Sequence, residues 1–146
     1  MKVLKCATLN GIEANVVEVE GTFTKGLPSF SIVGLGNSAI QESKERVKSA
    51  LLTNNFEFPP LKITINLSPS DLQKQGSHFD LPIALLIAMQ DEKIDFGEYF
   101  VFGELGLDGR LKDSTLIFVL VLSLAELGIL KKVLVPKESV DRKSVV

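Results

Sequence analysis

A polar loop runs straight into a wholly apolar helix in the middle of this chain, and that junction restricts the fold more than any other feature. Gly76-Ser77-His78-Phe79 leads into Asp80-Leu81-Pro82-Ile83-Ala84, and apolar residues continue to Met89. A helix that is apolar on every face has to be buried on most sides. Ahead of it lies Ile63-Thr64-Ile65-Asn66-Leu67, a strand pattern stopped by Pro69. A strand therefore feeds a polar connection from Ser70 to Ser77 and then a central helix. Asp80 is expected to cap that helix, and Pro82 is tolerated in its first turn.

The flanking elements follow from periodicity and turn chemistry. Val3 to Leu9 is a short strand ending at Asn10-Gly11, a hairpin signal, and Ile12 to Phe23 is its antiparallel partner. Pro28 to Val33 is a third strand. Ser38 is expected to open a helix through a capping box with Gln41, with Ile40, Val47, Ala50 and Leu51 on its packing face and Asn54-Asn55 at its end. Phe100 to Leu105 reads as a strand, turned at Asp108-Gly109 toward Arg110-Leu111. Asp113 or Ser114 is expected to cap a third helix, Thr115 to Leu127, stopped by Gly128. Lys132 to Val135 is the last strand, and Lys137 to Val146 reads as an interrupted element. Three strands, helix, strand, helix, two strands, helix and strand make an α+β fold, a mixed sheet with helices mainly on one face, and one domain over residues 1–146.

Composition excludes several function classes. The formal net charge of −2 gives no global attraction to nucleic acid, so any basic surface has to be local. Cys6 is the only cysteine, which rules out an internal disulfide and fits a reducing cytoplasm. The apolar run from Leu116 to Leu122 and on to Ala125 is interrupted by Glu126, too short for a span of roughly 20 residues. It reads as core or interface.

Chemical motifs are sparse. Gly34-Leu35-Gly36-Asn37-Ser38-Ala39 matches a dinucleotide fingerprint between a strand and a helix, but two strands precede it and Glu57, at the ribose-acid spacing, lies ahead of its strand. A tight strand-to-helix turn is the better reading; a nucleotide-binding module is the alternative. No P-loop is present. His78 is the only histidine and has no soft ligand near it in sequence, so it reads as a loop histidine and no metal site is expected. Lys44 and Lys48 share a helix face with Arg46 turned off it. With Lys74 they are candidates for phosphate contact, against a background of interleaved Glu42, Glu45 and Asp71.

These segments, together with Gly103-Glu104-Leu105-Gly106-Leu107-Asp108-Gly109-Arg110-Leu111, resemble one family, the magnesium-chelatase-like AAA+ ATPases of the ComM (YifB) competence-protein group. The resemblance covers nearly the whole chain, but only the family's amino-terminal domain. It implies the fold of ribosomal protein S5 domain 2, shared with Lon-family proteases. It also implies a non-catalytic accessory domain, for assembly or DNA contact, of a cytoplasmic ring ATPase that migrates DNA branches in natural transformation. ATP and magnesium are then expected only in the ATPase domain, with no cofactor here. The implied partners are that ATPase domain, further copies in a ring, and DNA, with no membrane. Lon-type proteases use a serine with a lysine as its base. The matching positions here fall on His78 and Phe118, so a Ser-Lys peptidase is the disfavoured alternative and no catalytic residue is assigned.

The third helix carries a separate expectation. Leu116, Val119, Leu120 and Leu127 can fill an inward face, which leaves Ile117, Val121 and Leu124 as candidate interface residues on the outside.

Overall fold

The computed structural model describes residues 1–93 and 95–139. Of the closing segment anticipated from Lys137 to Val146, residues 140–146 lie outside the described residues. The strands are β1 (Lys2–Asn10), β2 (Glu13–Thr24), β3 (Ser29–Val33), β4 (Lys62–Ser68), β5 (Tyr99–Val101), β6 (Glu104–Leu105), β7 (Leu111–Lys112) and β8 (Lys132–Leu134). The helices are α1 (Asn37–Thr53), α2 (Asp80–Ala88) and α3 (Thr115–Glu126). Six strands form one sheet in the order β3-β4-β2-β1-β5-β8, and β6 pairs with β7 as a separate hairpin. The β1–β2 and β2–β4 pairs are antiparallel, whereas β3–β4, β1–β5 and β5–β8 are parallel. The architecture is α+β with a mixed sheet.

Alternation along the strands decides which face is covered. Leu4 pairs with Val19 and Cys6 with Val17; Val19 in turn pairs with Leu67. All five are buried, together with Ile63 and Ile65. The opposite face carries Lys5, Glu18, Glu20 and Asn66, with an Asn66 amide donating to Glu20 Oε1 at 2.8 Å. Helices α1, α2 and α3 all contact strands of this sheet. Ile83 and Ile87 of α2 and Leu120 and Leu124 of α3 join the strand side chains in a single core.

Three local expectations are corrected. Helix α1 begins at Asn37 behind Gly36 in extended conformation, so Ser38 already lies inside the helix and makes no cap. Phe79, with helical backbone angles, takes the cap position of α2, and the Asp80 side chain is spent elsewhere. The single strand expected from Phe100 to Leu105 is broken. The Phe102 amide donates to Leu134 O at 2.9 Å, while Gly103 exchanges bonds with the start of α2 and the turn before it: its amide donates to His78 O, and its carbonyl accepts from the Leu81 amide, each at 3.0 Å. Gly103 thus turns the chain out of the sheet and releases the β6–β7 hairpin onto the helices.

Candidate functional site

The polar loop before α2 ends at a side chain that four hydrogen bonds hold. Asp80 is fully buried. Its Oδ1 accepts from Ser43 Oγ at 2.8 Å and from Arg46 Nη2 at 3.2 Å. Its Oδ2 accepts from Arg46 Nε at 2.6 Å and from the Leu105 amide at 3.1 Å. Burial pushes the Asp80 carboxyl up from its ordinary range, while Arg46, Ser43 and the Leu105 amide pull it back. The bond to Asp80 raises the Arg46 guanidinium in turn. Four donors converging on two oxygens is the demand of an ionised carboxylate, since a protonated acid has a donor of its own to place. One carboxylate therefore ties α1, α2 and β6 together. Sequence reading placed Asp80 as a local cap and Arg46 off the lysine face, and it missed Ser43. The spacing of Ser43 and Arg46, three apart on one helical face, was the available signal.

The β6–β7 hairpin is held from its other side by the carboxy-terminal turn of α1. Ser49 Oγ donates to Leu107 O at 2.9 Å, and Asn54 Nδ2 donates to both Ala50 O at 2.7 Å and Asp108 O at 2.9 Å.

His78 lies in the turn before α2, as a loop histidine, but its side chain is buried in the core. Its ring lies tilted by 34° against that of Phe79, with centroids 4.3 Å apart, and Nε2 lies 2.7 Å from Ala7 O. A carbonyl only accepts, so Nε2 carries the proton and donates. Among the described residues the buried Nδ1 has no hydrogen-bond partner, and burial lowers the histidine pKa. The described residues contain no group of three or more His, Cys, Asp or Glu side chains placed to hold a metal ion.

The three phosphate-contact candidates separate. Lys74 is 5% exposed, and its ammonium donates to the carbonyls of Pro69 and Leu72 inside its own loop. Burial also lowers its pKa. Lys74 is thus a loop staple, a correction to its place among the surface candidates. Lys44 and Lys48 stay together on α1. The Lys44 ammonium lies 5.7 Å from the Phe30 ring centre and that of Lys48 lies 5.6 Å from Phe58. The two rings are 5.5 Å apart. Glu42, which could have neutralised the pair, lies 3.9 Å from Arg46 instead. Among the described residues neither lysine enters an ion pair.

The glycine turn before α1 opens onto a cleft of about 650 Å³ lined by Gly34, Gly36, Ala39 and the loop from Ser70 to Gly76. Gly34 has φ +103°, and a Cβ there would sit 2.6 Å from Leu67 O. This glycine therefore serves the close approach of the turn to β4, in line with the tight-turn reading.

The interface expectation for α3 is corrected in phase. Ile117 and Leu124 are fully buried with Leu120, and Val121 is half-buried. Val119 and Leu127, expected inside, are exposed. The helix is apolar all round, so several phases fit equally well. Contact with the sheet decides: Ser123 faces it and accepts the Ala14 amide at 2.9 Å from the start of β2.

Comparison with known proteins fits this architecture. Residues 19–139 match the family model described as subunit ChlI of magnesium chelatase. The chain belongs to this family. It is 41% identical over 105 residues to the YifB protein of Escherichia coli, covering 70% of this chain and 21% of that protein. It is 39% identical over 105 residues to competence protein ComM of Haemophilus influenzae, with the same coverages. An uncharacterized protein of Mycobacterium tuberculosis is 32% identical over 141 residues, covering 94% of this chain and 28% of that protein. The chain thus spans between a fifth and a third of the length of these relatives. Among the described residues no helix is long and apolar enough to cross a membrane.

Proposed function

We propose that this chain is a non-catalytic accessory domain of a ComM-like AAA+ ATPase that acts on DNA in the cytoplasm. The Haemophilus influenzae relative is named a competence protein, and in this reading the process served is branch migration during natural transformation. ATP and magnesium belong to the ATPase portion in this reading, and the domain contributes assembly contacts within a ring and one DNA contact.

The observation that carries the DNA contact is the unpaired state of Lys44 and Lys48. Each ammonium rests over an aromatic ring and has no carboxylate neighbour within ion-pair distance among the described residues. A cation held over a ring keeps its full charge and loses part of its side-chain freedom before any ligand arrives. The two lie one helical turn apart, about 6 Å along the axis, and can meet successive backbone charges. A chain with net charge −2 concentrates positive charge here without a general attraction to polyanions. The peptidase alternative gains no support, since the serine position holds the buried His78 and the lysine position holds Phe118.

Anisotropy of a labelled DNA oligonucleotide across a salt series tests the reading. Affinity should be weak and indifferent to base sequence. Two lost phosphate contacts should flatten the slope of log K against log salt by roughly 1.8 for duplex DNA. Lys44→Glu with Lys48→Glu should produce that change and at least a tenfold loss at low salt. Affinity and slope unchanged in the double variant would remove the DNA contact from the proposal.

A further inference from the structure

Helix α1 shows how this chain finishes a helix meant for water: Gln41, Glu42, Glu45 and Lys48 form an exposed polar outer stripe. Helix α3 lacks such a stripe. Its inner positions Ile117, Leu120 and Leu124 are fully buried, yet Val119 is 36% exposed, Leu122 49% and Leu127 44%. Beside them an apolar groove of about 300 Å³ runs between α3 and β8, walled by Phe118, Val121, Leu122 and Ala125 on one side and Val133 and Val135 on the other. Its one polar lining residue, Ser139, donates its hydroxyl to Asp113 and is not free for another ligand. A contiguous apolar helix face and groove of this kind marks a surface that another polypeptide covers.

We infer that the α3–β8 face seats the polypeptide that longer family members carry outside this domain. The inference rests on reading the chain as an accessory domain, and it names the surface used for assembly. Two observations select this occupant. The relatives carry more than seven-tenths of their length outside the segment they share with this chain. The groove is also walled by Val135 and lined by Ser139, so the chain leaving β8 runs along the groove's rim. A second copy fits less well. Among the described residues β8 is an edge strand, and Lys131 beside it and Lys132 within it, the latter 3.8 Å from Glu98, bring positive charge to that edge, which disfavours edge-to-edge pairing of two copies.

Thiol protection reads the surface directly. Cys6 is fully buried and stays silent, so a cysteine introduced as Leu122→Cys reports alone. Its labelling rate is measured in the 146-residue chain and in a chimera in which this chain replaces the matching segment of the Escherichia coli relative. Ile12→Cys, at a hairpin tip that is 95% exposed, is the control. The expected result is fast labelling of Leu122→Cys in the isolated chain, at least tenfold slower labelling in the chimera, and no change at Ile12→Cys. Val119→Cys repeats the test at a second position, and the relative's remainder added as a separate chain repeats it if the chimera does not fold. Equal rates at Leu122→Cys with and without the remainder overturn the inference. Slow labelling in the isolated chain that speeds up on dilution overturns it in favour of a second copy. No DNA is present in either arm, so this test can fail while the DNA contact stands, and the reverse.

Discussion

The Asp80 junction and the α3–β8 face lie on the same side of one sheet and are built on opposite terms. At Asp80 a charge is taken wholly out of water and every oxygen valence is met: Ser43, Arg46 twice, and the Leu105 amide. At α3–β8 the groups are apolar and the described residues leave the surface uncovered, with Leu122 and Val119 exposed beside the groove. A buried charge so fully bonded has no capacity left for a ligand. Its work is to fix α1, α2 and the β6–β7 hairpin relative to one another. An uncovered apolar face does little for the fold of its own domain and has its energy still to gain. Chemical conspicuousness and functional availability therefore point in different directions here, since the site richest in charge is the structural one.

Removing Asp80 attacks the first half of that contrast with the largest expected effect. Asp80→Ala strands the Arg46 guanidinium, the Ser43 hydroxyl and the Leu105 amide, and breaking a buried pair from one side costs about 3–5 kcal/mol. Urea unfolding measures it. A loss under about 1 kcal/mol would mean that water replaces the carboxylate and that the junction is no keystone. Leu124→Ala tests the corrected phase of α3. Leu124 is fully buried, so truncation should cost about 2–5 kcal/mol; an unchanged urea midpoint would restore it to the outer face.

Much of the fold was legible because strand alternation and turn chemistry are local. Asn10-Gly11 did turn β1 into β2, and Ile63, Ile65 and Leu67 are the buried half of β4. What was not legible depended on contacts distant in sequence. The break at Gly103 comes from bonds to His78 and Leu81, and nothing near Gly103 announces it. Asp80 looks like a cap until α1 is laid beside it. Lys74 looks like a surface cation until its loop folds back and puts Pro69 O and Leu72 O against its ammonium. In α3 the uniform apolarity that signalled burial also erased the phase, since no polar stripe marked the outside. The lysine pair was legible as a shared face, but Phe30 and Phe58 beneath it come from elsewhere in the chain.

Acid should act at an intermediate scale through His78, which packs beside the junction. Its folded pKa lies below the ordinary 6.5, because burial opposes the charged ring. The unfolded chain then binds the proton more readily, so stability is fully present above about 6.5 and falls as pH drops below it. The slope from this one group is at most about 1.4 kcal/mol per pH unit. Urea midpoints on either side of that window give the number. His78→Phe should be less stable at neutral pH, because Ala7 O loses its donor, but it should lose that part of the slope. If the variant keeps the whole slope, another group sets the acid limit and Nδ1 is not the weak point.

The smallest expected effect is the sharpest test of the second half of the contrast. Leu122 is half exposed, and its side chain borders the groove without reaching the core that Ile117, Leu120 and Leu124 fill. Leu122→Glu adds a charge where water already reaches, so the urea midpoint of the isolated chain should move by no more than about 0.5 kcal/mol. That near-neutrality separates a face kept for a partner from one that closes the domain's own core. In the isolated chain a core residue and an interface residue differ only in what their loss costs the fold. A cost of about 2 kcal/mol or more at Leu122 would show that the groove is already closed in solution and that α3 is packed on both sides by its own domain. The contrast with Asp80 would then fail, because both regions would be serving the fold.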